Sequence, residues 1–123
     1  MKVVITGSRS LSGNTNIQYF KVIDSILKWI DKPIDEIVSG EAVGPDQWGK
    51  QYGLMMGTGI KSEPAEWNTY GKAAGPIRNR RMAEYGDFAI IFWDGVSAGS
   101  LNMIEEMDRL NKPYILKLYN TRR

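Results

Sequence analysis

The sequence predicts an α/β domain in which a five-stranded parallel sheet of order 3-2-1-4-5 lies between two layers of helices. Three observations lead there. Short apolar, β-branched runs alternate with stretches of helical periodicity along the 123 residues, which is the pattern of repeated βα units. The runs "KVVIT" and "DFAIIFW" are uniformly apolar, as strands covered on both faces must be. The runs "GIKSEP" and "PYILKLY" alternate in polarity and suit the edges. With the first and fourth strands central and every crossover right-handed, the order follows.

The first strand, "KVVIT", ends at Gly7. A helix is expected from Asn14 or Thr15, both good N-caps, to about Ile30, with Phe20, Ile23, Ile26, Leu27 and Ile30 on its apolar face. "DEIVSG" (35–40) is the second strand. Gly44-Pro45-Asp46 opens the second helix, with Trp48, Tyr52 and Met55 on one face. The third strand spans 59–64, and a loop carrying Trp67 and Tyr70 follows. The next helix is expected from Pro76 to Tyr85, the fourth strand from Asp87 to Trp93, and the last helix from Leu101 to Leu110. Met103, Ile104 and Met107 face the core. "PYILKLY" is the fifth strand, and the terminal "NTRR" is expected to be a solvated tail. No linker, repeat or low-complexity tract divides the chain, so residues 1–123 read as one domain.

Composition narrows the chemistry. With no histidine and no cysteine, a His- or Cys-ligated zinc, a Ser–His pair and a thiolate nucleophile are excluded. The acidic residues lack the spacing of a Ca²⁺ loop, so neither metal nor cofactor is expected. No apolar run approaches the ~20 residues of a membrane span, and "MKVVITGSRS" reads as a strand and loop rather than a signal peptide. These features fit the cytoplasm. The net charge of +2 does not mark a nucleic-acid partner.

Three loops fall at the C-terminal ends of strands 1, 2 and 4: "TGSRS", "SGEAVGPD" and "DGVSAGS". All carry glycine and small hydroxyl residues, which let backbone N–H groups approach a ligand, and the last two lead into helix N-termini, which favour anions. In order 3-2-1-4-5 they converge on the switch point between strands 1 and 4, where ligands of such sheets bind. None has a dinucleotide fingerprint or a P-loop lysine. A phosphate-bearing ligand is the expectation. The stretch "GPIRNRRMAEYGD" adds a second sign. If Pro76 is the first helical residue, Arg78 lies in a first turn, where the helix dipole disfavours a cation unless an anion is bound there. Arg80 is set four residues before Glu84, as in an ordinary exposed helix pair. Trp67 and Tyr70 are candidates either for stacking on a base or for lids over the core.

"VITGSR", "SGEAVGPD", "PAEWNTYGKAAGPIRNRRMAEYGD" and "FWDGVSAGSLNMI" together resemble the YspA-like branch of the SLOG superfamily, over nearly the whole chain. The W-x2-YG-x2-AGPIRN-x2-M run is the most specific part. The superfamily includes the LOG phosphoribohydrolases and the DNA-processing protein A family. The resemblance implies a Rossmann-like three-layer fold and a nucleotide or ADP-ribose-like ligand, in some members a signal in bacterium–phage conflict. Arg78, Met82 and Asp87 keep the LOG spacing, and Gly99 and Ser100 stand where a Gly-Thr would be. The LOG catalytic glutamate falls at Met103, with Glu105 and Glu106 further along. Asn102 is an amide, which does no acid–base work at neutral pH. A hydrolase reading therefore has only Asp94 or Asp46 to use. Glu41 and Val43 replace a glycine and an arginine of the branch's second loop.

The resulting expectation is a binding domain for a nucleotide-derived small molecule. Arg9 and Arg78 hold phosphates. Gly7, Ser8, Gly40, Gly44, Ser97, Gly99 and Ser100 belong to loops that supply backbone donors. Asp46, Asp94, Asn102 and Glu41 address ribose or base, and Asn79 caps or contacts the ligand. The alternatives are a LOG-like phosphoribohydrolase and a nucleic-acid-binding module. LOG relatives dimerise, and Trp29, Trp48, Tyr52 and Met56, expected on one outer surface of two helices, point to a homodimer.

Overall fold

The computed structural model describes residues 1–120; part of the expected tail, residues 121–123, lies outside them. Five parallel strands form one sheet: β1 (Lys2–Gly7), β2 (Glu36–Ser39), β3 (Gly59–Ser62), β4 (Phe88–Trp93) and β5 (Tyr114–Leu118). Their order is β3-β2-β1-β4-β5, as the sequence predicts, with β1 paired to β2 and β4 and the alternating strands at the edges. The helices are α1 (Tyr19–Ile30), α2 (Pro45–Met55), the one-turn α3 (Trp67–Tyr70), α4 (Ala74–Tyr85) and α5 (Ala98–Arg109). Among the described residues no helix is long and apolar enough to cross a membrane.

The period-2 alternation of the strands divides the core in two. Val3, Ile5, Ile37, Ile90 and Phe92 pack with Ile23 and Leu27 of α1 and Tyr52 of α2. Val4, Val38, Ala89 and Ile91 pack with Met82 and Ala83 of α4 and Met103 and Met107 of α5. The central strands thus bury side chains on both faces, which makes the fold a three-layer α/β sandwich.

Several helix boundaries differ from expectation. α1 begins at Tyr19 because Asn14 does not cap it: its Oδ1 accepts the Asn16 N–H in a local turn (3.0 Å), and Ile17 then enters the core. α4 begins at Ala74, so Pro76 is its third residue and Arg78 its fifth. Pro is tolerated there because the first N–H groups of a helix have no intrahelical acceptor. Arg78 is therefore one turn in, and the argument from a first-turn cation does not apply. α5 begins at Ala98, drawing "AGS" out of the expected loop.

Two side-chain expectations also change. Arg80 does not pair with Glu84; it reaches across to Glu106 of α5 (3.3 Å), which Arg109 also holds (2.9 Å). Helix packing brings a buried carboxylate nearer than the i+4 neighbour. Nor do Trp48, Tyr52, Trp29 and Met56 share an outer surface. Trp48 stacks on Tyr19 and meets the Phe92 ring edge-on, and Tyr52 is buried with its hydroxyl on Asp24 (2.8 Å). Met55, expected on the Trp48–Tyr52 face, is 73% exposed, and Trp29 is 77% exposed. The inner face of α2 is narrow because Gly49 and Gly53 already lie on β1, β2 and β3.

β1 and β4 come together tightly at Gly7, opposite Phe92. A Cβ there would sit 2.1 Å from the Phe92 carbonyl oxygen and 2.8 Å from Pro45 Cγ. The obstruction is backbone, which cannot swing away. Gly7→Ala is expected to lower unfolding free energy by at least the ~1–3 kcal/mol of an overpacked core, read as a lower urea midpoint. A midpoint equal to wild type would contradict this packing.

Candidate functional site

Gly7 also opens the loop that forms one wall of a crevice of about 930 Å³ at the C-terminal ends of β1, β2 and β4. Residues 7–10 after β1, residues 40–43 after β2 and residues 97–100 at the start of α5 line it, together with Asp46, Arg78, Asn79 and Asn102. This is the switch point at which the sheet order reverses. The segment after β3 closes the mouth with Pro64, Ala65 and Trp67, and Lys72 and Pro76 continue the rim.

Asp46 forms the floor. It is 1% exposed, and its Oδ1 accepts the Thr6 hydroxyl at 2.8 Å while its Oδ2 accepts the Ala42 N–H at 3.3 Å. Burial raises its pKa, against the opposing pull of Thr6, the Arg78 charge and the Ala42 and Gly7 N–H groups. Arg78 reaches down from α4 and donates through Nη1 to the Gly40 carbonyl (2.8 Å) and through Nε to Asn79 Oδ1 (3.0 Å). A Cβ on Gly40 would lie 2.5 Å from Asp46 Oδ2 and 2.6 Å from Arg78 Nη1. Only glycine leaves space for these two groups to face each other across the chain just after β2. Burial lowers the Arg78 pKa, Asp46 opposes this, and the nearby Arg9 charge adds to it. The guanidinium remains a cation, and two arginines face one crevice.

The α5 end is built around Asp94. Its carboxylate accepts the Ser10 and Ser97 hydroxyls, each at 2.6 Å, and the Val96 and Ser97 N–H groups at 2.9 and 2.8 Å. Burial alone would raise its pKa, but these four donors hold it well below the usual carboxylate range. Because Ser97 Oγ is committed to Asp94, it does not cap α5, and the first-turn N–H groups of that helix stay available at the crevice wall. The Ser8 and Ser100 hydroxyls are hydrogen-bonded at 3.1 Å, and Ser8 Oγ also accepts the Asp94 N–H (3.1 Å). Asn79 joins α4 to α5, donating to the Gly99 carbonyl (3.1 Å) and to Asn102 Oδ1 (3.0 Å). That bond directs the Asn102 amide.

Most expected site residues therefore converge, but with altered roles. Gly44 and Asp94 are not on the crevice surface: Gly44 precedes α2 at φ 85°, and Asp94 braces the wall from behind. Ser8, Ser100 and Asn79 use their side chains within the protein. Glu41 lies on the rim, where Lys50 (3.0 Å) and Gln47 (3.4 Å) hold Oε1 and Ser62 holds Oε2, so its carboxylate is engaged by its own chain. Thr6 and Lys72 also line the site, and sequence reasoning missed both. The one polar residue at the end of "VVIT" was a usable sign for Thr6. Lys72 had none, since only the turn between α3 and α4 brings it to the rim. No family model, curated protein or solved structure matches this chain.

A depressed pKa contributes stability that is complete above the unfolded-state value, ~3.9 for Asp, and is lost as pH falls through the folded-state value. Asp94→Asn is expected to lose about 1.5–3 kcal/mol near neutral pH, the worth of hydrogen bonds to a charged group. The gap from wild type should hold down to about pH 4 and narrow below it. Urea unfolding of both proteins at several pH values measures it, and a gap that widens on acidification would be the wrong sign.

Proposed function

We propose that this chain is a SLOG-type binding domain, working in the cytoplasm, whose crevice takes a nucleotide-derived anion. One observation carries the reading. Arg9, Lys72 and Arg78 all line the crevice, and among the described residues none of them has an ion-pair partner within 4 Å. The carboxylates around them are already engaged: Asp46 by Thr6 and Ala42, Glu41 by Lys50, Gln47 and Ser62. Asp46 facing Arg78 offsets part of that charge, while among the described residues Arg9 and Lys72 have no carboxylate within 4 Å; this positive charge lies beside the uncapped N-terminus of α5, and together they make an anion site. Asn102 and the backbone of the loops after β1 and β2 add neutral donors suited to ribose hydroxyls and base edges.

Binding, rather than hydrolysis, is the reading we adopt. Cleavage of an N-glycosidic bond needs a carboxylate within hydrogen-bond reach of the sugar. Met103, at the position the resemblance assigns to the LOG glutamate, is buried in the core. Glu106 is held by Arg80 and Arg109, Asp94 stands behind the crevice wall with four donors of its own chain, and Asp46, which lines the crevice, already accepts from Thr6 and Ala42. The proposal includes a homodimer formed through the exposed ends of α1 and α2, where Trp29, Leu54, Met55 and Met56 are uncovered. Light scattering at micromolar concentration should then give twice 13.9 kDa.

A thermal-shift screen of nucleotides and ADP-ribose tests the function. A ligand at a hundred times its Kd should stabilise the fold by about 2.7 kcal/mol. The Arg78→Ala variant is expected to keep wild-type circular dichroism while its affinity for the ligand found falls by about 1.5–3 kcal/mol, or roughly 10- to 150-fold. Wild-type affinity in that variant would remove Arg78 from the site.

A further inference from the structure

The crevice has one apolar wall that the anion site does not use. Two aromatic residues lie in the segment between β3 and α4, and they are treated differently. Tyr70 is engaged by Arg81, whose guanidinium lies 5.9 Å from the ring centre and donates to the hydroxyl at 3.5 Å; it does not line the crevice. Trp67 does line it and is 52% exposed. Its six-membered ring rests against the start of α4, where a Cβ on Gly75 would meet Cη2 at 3.5 Å. Arg81 also reaches Glu63 and Glu66 (3.8 and 3.9 Å), which ties the short α3 down on α4. The indole is thus carried on an anchored turn, with much of its surface uncovered at the mouth of a polar crevice. Leaving so large an apolar group in water forgoes burial energy, and a planar partner would recover it.

We propose that Trp67 is the stacking platform for the base of a nucleoside diphosphate whose phosphates lie between Lys72, Arg78 and the start of α5; this rests on the anion-binding reading above. Three features select a diphosphate over a monophosphate. Trp67 lies against α4, and α5 is the next helix of the same layer, about 8–10 Å away by ordinary helix packing. The ligand must span that gap from base to terminal phosphate. Two phosphoryl groups match three lining cations better than one. The crevice volume of about 930 Å³ is near the upper end of small-ligand clefts, ~300–1,000 Å³. Asn102, oriented by Asn79, lines the crevice as well and adds a neutral amide for the ligand.

The test is calorimetric titration of wild type, Trp67→Ala and Trp67→Phe with ADP, AMP and inorganic pyrophosphate. Wild type is expected to bind ADP more tightly than AMP or pyrophosphate. Trp67→Ala should weaken ADP binding roughly 5- to 150-fold, the measured range for losing one base–aromatic stack, and leave pyrophosphate unchanged. Trp67→Phe should recover most of the ADP affinity, because a phenyl face still stacks. The inference is overturned if Trp67→Ala binds ADP as wild type does, if it loses pyrophosphate to the same degree, or if AMP binds as tightly as ADP. If wild type binds neither pyrophosphate nor ADP, the anion-binding function itself has failed and the stacking role with it. Binding of pyrophosphate without any gain from the base leaves that function standing and removes Trp67 alone.

Discussion

Asp46 occupies the first turn of α2, favourable for a carboxylate through the helix dipole, but with only 1% of its surface exposed. A carboxyl group there is costly unless every oxygen finds a donor. The donors come from separate parts of the chain: Thr6 at the end of β1 and Ala42 in the loop after β2. Meeting the needs of one buried group fixes the spacing of two loops and a helix. It also lets a half-buried arginine stand on the far side of Gly40. Were Asp46 apolar, Arg78 would keep its bonds to the Gly40 carbonyl and Asn79 but lose the opposite charge facing it, and the two central loops would lose their shared anchor.

The same logic recurs at the other end of the crevice, where Asp94 gathers two hydroxyls and two N–H groups. Because it takes the Ser97 hydroxyl away from capping α5, the loop is ordered while the helix end stays open. Among the described residues no buried side-chain nitrogen or oxygen lacks a hydrogen-bond partner. The polar interior is therefore a closed network, and crevice groups outside it stand out: Arg9, Lys72, the Trp67 indole and the first turn of α5. Function is read from what that network leaves over.

The strand order was legible because burial on both faces leaves a compositional mark: "KVVIT" and "DFAIIFW" carry no polar residue on either side until their ends. The loops of the site were legible for a related reason, since glycine and small hydroxyl residues cluster where backbone must come close to something. Helix starts were less legible. Residue type points to Asn14 or Thr15 as the cap of α1, yet type does not say whether the side chain bonds its own turn or the helix. The aromatic surface expected on α1 and α2 failed in the same way, because counting large residues does not tell which of them a neighbouring helix covers.

By itself, then, the sequence determined the class of fold, the order of the strands and the three loops that meet at the switch point, because each follows from local composition and short-range periodicity. Tertiary structure alone decided the roles. Asp94 meets Ser10 across 84 positions of the chain, Arg78 meets Gly40 across 38, and Arg80 passes over Glu84 for Glu106 across 26. No local pattern encodes which partner a charged or polar side chain finds. That choice is made by the packing of distant elements, through the cost of leaving a buried charge or donor unpaired.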